Sequence, residues 1–364
     1  MPRLHKRLGQ PGVGAVKFPS RGTPNAKLRA LVVPAGRTSL PACRSSSPLS
    51  QAAHTAAGAQ QLDPAAQARL RDRPRAQHWA RELTKLGHEV KLIAAQFVRP
   101  FVKTNKNDAA DAEAIWTAAQ QPGMRFVAVK SEEQQAVLGL HAIRHQLVKN
   151  RNAYVNQLHG LMAEFGVCLP RGWRTMLPLA VASLDDACSP IPGLLRVELQ
   201  RQIERIKEVT RQITEVERQI AAWQRRELEC SRIAAIPGVG LLTATAAVAM
   251  IGEARTFKSG RQFAAYLGLV PRQSGTGGRV QLLGISKRGD TYLRTLLIHG
   301  ARSVLSRLQP QDRDSWLGRL AGRRPKNIAA VALANKMARQ IWALITHHRN
   351  YDPNFRAAVG ATSA

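Results

Sequence analysis

Acidic residues are few in this chain beside its basic ones. Against 54 Lys and Arg it carries 24 Asp and Glu, a formal net charge of +30, and its first acidic residue is Asp63. Charge of one sign on this scale says more about partners than about fold. It points to a polyanion, and nucleic acid is the commonest one. A membrane surface is the other candidate, but no apolar run approaches the roughly 18 residues of a spanning helix, and no basic amphipathic anchor stands out. The basic N-terminus lacks the apolar core of a signal peptide. Cysteine is scarce and scattered: Cys43, Cys168, Cys188 and Cys230 form no CxxC pair. That argues against a zinc site or a disulfide framework and fits a reducing cytosol.

What is present divides the chain. Residues 1–77 are rich in Arg, Pro, Ala, Gly and Ser, as in PSRGTPNAKLRA. Neither a period of 2 nor one of 3.6 persists there, so the segment is predicted to be disordered. It reads either as a basic tail lying along nucleic acid or as GC-rich coding sequence translated in a wrong frame. Helical spacing at Trp79, Leu83 and Leu86 then opens an ordered region, followed by a strand over Glu89–Ala94. A basic loop with Lys103 and Lys106 leads into a helix that Gln121, Pro122 and Gly123 terminate, and RFVAVK (125–130) reads as a strand. That order suggests a fragment of an α/β layer with parallel pairing.

Ser131 with Gln134 three residues on forms a capping-box pattern that starts a long helix. In a second long helix Leu199, Ile206, Ile213 and Ile220 step by seven, with Val209, Val216 and Trp223 as a second seam. Three heptads suggest a coiled-coil hairpin or a dimer stalk, or else a helix packed on its own domain. The expected organisation is thus α/β plus mostly α: residues 1–77 disordered, 78–130 a partial α/β domain, 131–230 long helices, 231–347 a helical domain and 348–364 a tail.

Three motifs can carry chemistry. In IPGVG, Gly238 and Gly240 sit in a short turn before an apolar helix, a helix-hairpin-helix pattern whose glycines let helix-start N–H groups approach a phosphate. The alternative is a plain interhelical turn. GISKRGDTYLR places Lys287, Arg288 and Arg294 with Ser286 within nine residues, which suits a phosphodiester path; a solvated basic loop is the plainer reading. Asp108 and Asp111 lie three apart on one helix, roughly 5–6 Å at Cβ, and such a pair can share Mg²⁺. Asp near a helix start is also favoured by the helix dipole alone.

Taken in order, KNDAADAEAI, RFVAVKSEEQQAVLGLHAIR, IPGVG and GLVPRQSGTGGRVQLLGISKRGDTYLRTLLIHGAR resemble the DEDD transposases of the insertion-sequence 110 family. That family includes the Piv-type DNA invertases and the bridge-RNA-guided recombinases, and the resemblance spans about residues 78–347. It implies a RuvC-like (RNase H-like) α/β domain whose four acids bind Mg²⁺, with Asp108 and Asp111 matching the third and fourth. It implies a helical transposase domain whose serine attacks a DNA phosphodiester to give a covalent 5′-phosphoserine. Counting back from the Ile-Ser-Lys motif lands on Thr276, while Ser274 heads the Ser-Gly pair; both are candidates. The implied partners are double-stranded DNA, a structured noncoding bridge RNA and further copies of the chain in a tetramer with composite sites. The implied location is the bacterial cytoplasm at the nucleoid. Nothing before Asp63 can supply the family's first Asp, and neither Asp63 nor Asp72 sits in a strand pattern. The expectation is a chain with two of four metal ligands, a missing central strand and no catalysis, or DNA and RNA binding alone.

Overall fold

The computed structural model describes residues 30–32, 67–72, 76–102, 108–353 and 355, with backbone alone at 30–32, 67–72 and 108–109. They form two compact units, one ending at Lys130 and one beginning at Ser131. The expectations for Asp63, Lys103, Lys106 and most of residues 1–77 and 348–364 lie outside the described residues.

In chain order the first unit holds β1 (Ala30–Val32), β2 (Gln67–Asp72), α1 (Ala76–Lys85), β3 (Glu89–Ala94), α2 (Ala95–Val98), α3 (Asp108–Gln120) and β4 (Phe126–Val127). The strands form one sheet in the order β1-β2-β3-β4. The sheet is mixed: β2 and β3 run parallel, with α1 as their crossover, whereas β1 and β4 pair antiparallel to their neighbours. Two expectations are corrected here. The parallel partner of β3 is β2, not the 125–130 segment. And Asp72 does lie in a strand, at the end of β2, paired with Ala94. Ala68 and Leu70 alternate with Gln67, Arg69 and Arg71, a period of 2 that the arginine-rich surroundings obscure.

Consecutive residues of a strand face opposite ways, and β3 uses both sides. Leu92 packs with Ala76, Ala80 and Leu83 of α1. Ile93 packs with Val98 and with Ala114, Ile115 and Ala118 of α3. The helix carrying the Asp pair is therefore fixed to the sheet by its small apolar residues.

The second unit contains α4 (Glu132–Ala163), α5 (Trp173–Asp185), α6 (Gly193–Arg226), α7 (Leu228–Ala234), α8 (Leu241–Ile251), α9 (Gly260–Tyr266), β5 (Pro271–Thr276), β6 (Arg279–Ile285), α10 (Thr291–Ser306), α11 (Trp316–Arg323) and α12 (Lys326–His347). Both bonds of the capping box at the start of α4 are made, Gln134 N–H to Ser131 Oγ and Ser131 N–H to Gln134 Oε1, each 3.1 Å.

The heptad seam of α6 is covered by the chain itself. Leu199, Ile203 and Ile206 pack with Leu158 and Met162 of α4 and Met176, Ala180 and Leu184 of α5. Gln202 donates to Gln157 at 2.8 Å beside them. This part of the seam is packed on its own unit, as the plainest of the three readings has it; each buried Leu or Ile contributes roughly 2 kcal/mol.

Val137 of α4 and Trp223 of α6 share one core with Ile233, Ala246, Phe263, Leu297, Met337 and Ile341. A boundary at residue 230 would cut through it. The centre of this core is α12, the one described helix long and apolar enough to cross a membrane by composition. Ala330, Ala334, Met337, Ala338 and Ile341 on it are buried in protein, whereas Ile328 is exposed.

Candidate active site and nucleic-acid interface

β5 and β6 form a hairpin inside the otherwise helical second unit. Its register pairs Ser274 with Gln281 and Thr276 with Arg279. The two-residue turn is Gly277-Gly278, both at positive φ (59° and 79°), the backbone that tight hairpins favour. Gly275 permits the pairing: a Cβ there would lie 2.2 Å from the Arg279 carbonyl oxygen. Ser274 and Thr276 are two apart on one strand, so their hydroxyls share a face with Arg279 and Gln281. Every residue of β5 is exposed. The opposite face carries Val280 and Leu282, and Leu282 lines an apolar groove of about 1500 Å³ with Trp316, Ile328 and Phe355. One face of the hairpin carries the two hydroxyls with Arg279 and Gln281, the other Val280 and Leu282 beside Gln273.

Loop 286–290 follows at once and is held from below. Ser286 N–H donates to the Val270 carbonyl (2.8 Å) and Lys287 N–H to the Gly268 carbonyl (3.1 Å). A Cβ on Gly289 would lie 1.8 Å from the Tyr266 oxygen, and one on Gly268 would lie 2.3 Å from the Arg288 oxygen. Lys287 adopts the left-handed conformation, φ 54°, which is unfavourable for a residue with a Cβ. The result is that Lys287 and Arg288 stand exposed. Ser286 does the reverse: its Oγ is buried and has no hydrogen-bond partner among the described residues.

Arg294 requires a correction. Expected on the nucleic-acid path, it is buried. Its guanidinium donates to the carbonyls of Leu267 and Arg288, both at 3.0 Å, and to Thr291 Oγ1 at 3.1 Å. It clamps the loop that displays Lys287 and Arg288. Asp290 completes the turn as the N-cap of α10, accepting from Leu293 N–H at 2.6 Å.

The IPGVG turn joins α7 to α8 as a helix-turn-helix corner. Its two glycines differ. Gly238, at φ +87°, is pressed against α10, where an added Cβ would meet the Gly300 carbonyl oxygen at 2.7 Å. Its role is close helix packing, not an approach to phosphate. Gly240 is exposed, is the N-cap of α8 without a side-chain cap, and has nothing within 4 Å of a would-be Cβ. The first N–H groups of α8 start beside that open space.

Behind this surface a polar network ties four helices together. His141 of α4 contacts Tyr292 OH through Nδ1 and Thr245 Oγ1 through Nε2, each at 3.0 Å. Thr245 donates its hydroxyl to the Leu241 carbonyl at 2.8 Å, so it accepts from Nε2–H and leaves Nδ1 to accept from Tyr292. That tautomer is the neutral ring. Burial first, and Arg144 second, push the His141 pKa down to about 4. Arg144 is held by Glu217 of α6, with Nε to Oε1 at 2.6 Å.

In the first unit Asp108 is the first residue of α3 and Asp111 lies one turn on, half-buried. Among the described residues no group of three or more His, Cys, Asp or Glu could hold a metal. The donor type nevertheless suits Mg²⁺, which takes one or two carboxylates and completes its shell with water and substrate phosphate.

Comparison with known proteins bears on this region directly. Residues 230–317, which include α8, the hairpin and the clamped loop, match the family model described as "Transposase IS116/IS110/IS902 family". A probable family 20 transposase of Pseudomonas aeruginosa is 48% identical over 281 residues, covering 76% of this chain and 83% of that protein. The transposase for insertion sequence element IS1111A of Coxiella burnetii is 44% identical over 281 residues, 76% of each chain. The transposase for insertion sequence element IS1328 of Yersinia enterocolitica is 42% identical over 269 residues, 73% of this chain and 80% of its own. With identity of this degree over about three quarters of its length, the chain belongs to the IS116/IS110/IS902 family of transposases.

Proposed function

We propose that this transposase cuts and rejoins DNA through a hydroxyl of the β5–β6 hairpin, Thr276 or Ser274. The observation that carries the reading is the exposed strand that offers both hydroxyls on one face, in a hairpin whose second strand runs into a loop built to display Lys287 and Arg288. The hydroxyl loses its proton as its oxygen forms a bond to phosphorus. The bond from phosphorus to the DNA 3′-oxygen breaks, leaving a 3′-hydroxyl and a 5′-phosphate ester on the protein. Asp108 and Asp111 would hold Mg²⁺, which when bound supplies charge neutralisation at the phosphate and favours the alkoxide. Lys287 and Arg288 fix the phosphodiester backbone as point charges that carry no sequence information. The free N–H groups after Gly240 do the same. Base pairing with a structured noncoding RNA then sets the target, and a tetramer brings together acids and hydroxyls from different subunits. The protein acts in the bacterial cytoplasm at the nucleoid and not on a membrane.

A second reading has its own observation. The family resemblance assigns a role to two acids alone, Asp108 and Asp111, and among the described residues no larger group of possible metal ligands gathers. A copy that binds DNA and RNA without cutting fits that fact.

One experiment separates them. Purified protein is incubated with Mg²⁺, end-labelled element DNA and its RNA, then resolved under denaturing conditions. A labelled protein–DNA adduct that maps to the 271–276 peptide supports cleavage. Retarded DNA in a native gel with no adduct under any condition supports binding alone.

A further inference from the structure

Where α4 meets α5, two guanidinium groups share one indole. Arg151 of α4 lies 5.0 Å and Arg174 of α5 5.3 Å from the Trp173 ring centroid. Bringing two like charges onto one ring is costly unless something negative is near. The carboxylate that acts on Arg151 is Glu217, and Glu217 is bound to Arg144 at 2.6 Å. Neither Arg151 nor Arg174 forms an ion pair among the described residues. The Nε of Arg151 is buried and has no hydrogen-bond partner among them. No carboxylate stands in the first turn of α5, which begins at Trp173. Lys149 and Arg171, both exposed, flank the pair.

We propose that the Arg151–Trp173–Arg174 cluster is a second docking point for the phosphodiester backbone of double-stranded DNA, outside the segment that cuts. It rests on the DNA-binding reading above and extends it to a surface that reading does not use. Three arguments carry it. Stacking on Trp173 removes the rotamer freedom of both arginines, and a pre-set planar fork matches phosphate oxygens bidentately. Burial, then the nearby Arg144, holds the Arg151 guanidinium below its ordinary pKa, a strain that an arriving anion relieves. The third argument is position. Arg144 is linked through the Tyr292 hydroxyl region to the start of α10, beside Lys287 and Arg288. Arg151 is seven residues beyond Arg144 on the same helix, about 10 Å at ~1.5 Å per residue. The cluster thus lies about two helical turns along α4 from the Arg144 side chain that acts on Tyr292. Double-stranded DNA is favoured over RNA because the match to transposases implies DNA as a partner, and a rigid rod meets two pre-set cations without refolding.

The test uses the full chain. Binding of a fluorescent duplex of roughly three helical turns is followed by anisotropy across a KCl series, for wild type, R151Q/R174Q and R151K/R174K. A structured RNA of matching length is run in parallel. The proposal expects the slope of log K against log salt for duplex to become shallower by about 1.8 in R151Q/R174Q, ~0.9 for each phosphate no longer neutralised. The lysine pair should retain most of the slope, and circular dichroism should show unchanged helix content. Trp173 fluorescence should change on duplex addition in wild type. Equal slopes for wild type and R151Q/R174Q, or a loss confined to RNA, overturns the proposal while leaving the hairpin's function standing. Failure of wild type to bind any duplex removes both.

Discussion

Gly238 and Gly300 touch backbone to backbone. A Cβ on Gly238 would sit 2.7 Å from the Gly300 carbonyl oxygen, and one on Gly300 would sit 2.0 Å from that of Gly238. Their contact seats the turn between α7 and α8 on α10, the helix that starts at the clamped loop. Gly238 also holds φ +87°, where any side chain is strained. Gly238→Ala should therefore destabilise the fold by about 2–4 kcal/mol, overpacking and backbone strain adding together. Urea denaturation measures it, and an unchanged midpoint would mean that the two glycines do not touch.

Gly240 supplies the contrast in the same motif. Its would-be Cβ meets nothing and its φ is −91°. Gly240→Asp should leave stability equal or slightly raised, by a few tenths of a kcal/mol up to ~1, because Asp is a better N-cap. It should weaken duplex binding, since its carboxylate occupies the place of a phosphate. Weaker binding with unimpaired stability is the outcome to look for in anisotropy and thermal melts run on the same sample.

Arg294 and Arg288 should separate in the same way. Removing the buried Arg294 guanidinium as Arg294→Gln leaves the Leu267 and Arg288 carbonyls short of a donor, and costs about 1–3 kcal/mol. Arg288→Gln, on the exposed side of that loop, should cost no stability and should reduce the salt slope of duplex binding by about 0.9.

His141 gives the pH dependence. Its folded pKa is depressed to about 4, below the ordinary value of ~6.5. Between those values the unfolded chain binds the proton and the folded chain does not. Stability from this group is complete above pH ~6.5 and is lost as pH falls toward 4, on the order of 2–3 kcal/mol for a ring this buried. His141→Gln should flatten the stability–pH curve in that window while lowering stability at neutral pH. A wild-type curve flat from pH 6.5 to 4 would contradict the network.

Much of the fold is legible in local signals. The Ser131 box, the stop at Gln121-Pro122-Gly123, strand Glu89–Ala94 and the seven-residue step in α6 each depend on near neighbours in sequence, and each sits where its pattern lies. The misses are of another kind. β2 is hidden because its alternation is carried by Arg, a composition that suggests disorder. The β5–β6 hairpin looks like a Gly-rich loop, since the strands' pairing is fixed by a close approach at Gly275 that composition does not reveal. Arg294 and Gly238 read as DNA ligands because cations and turn glycines suit phosphate. Whether such a residue faces solvent or Leu267, Arg288 and Gly300 is decided by tertiary neighbours far along the chain.

In the proposed reaction a hydroxyl on the hairpin attacks DNA with help from the acids of α3. Mass spectrometry of trapped adducts tests it most directly, comparing wild type with Ser274→Ala, Thr276→Ala and Asp111→Asn in the presence of Mg²⁺, element DNA and RNA. The expected result is a nucleotide linked at Thr276 or Ser274 in wild type, lost with the matching alanine and lost in Asp111→Asn. A nucleotide linked elsewhere, or an adduct untouched by all three substitutions, would contradict it.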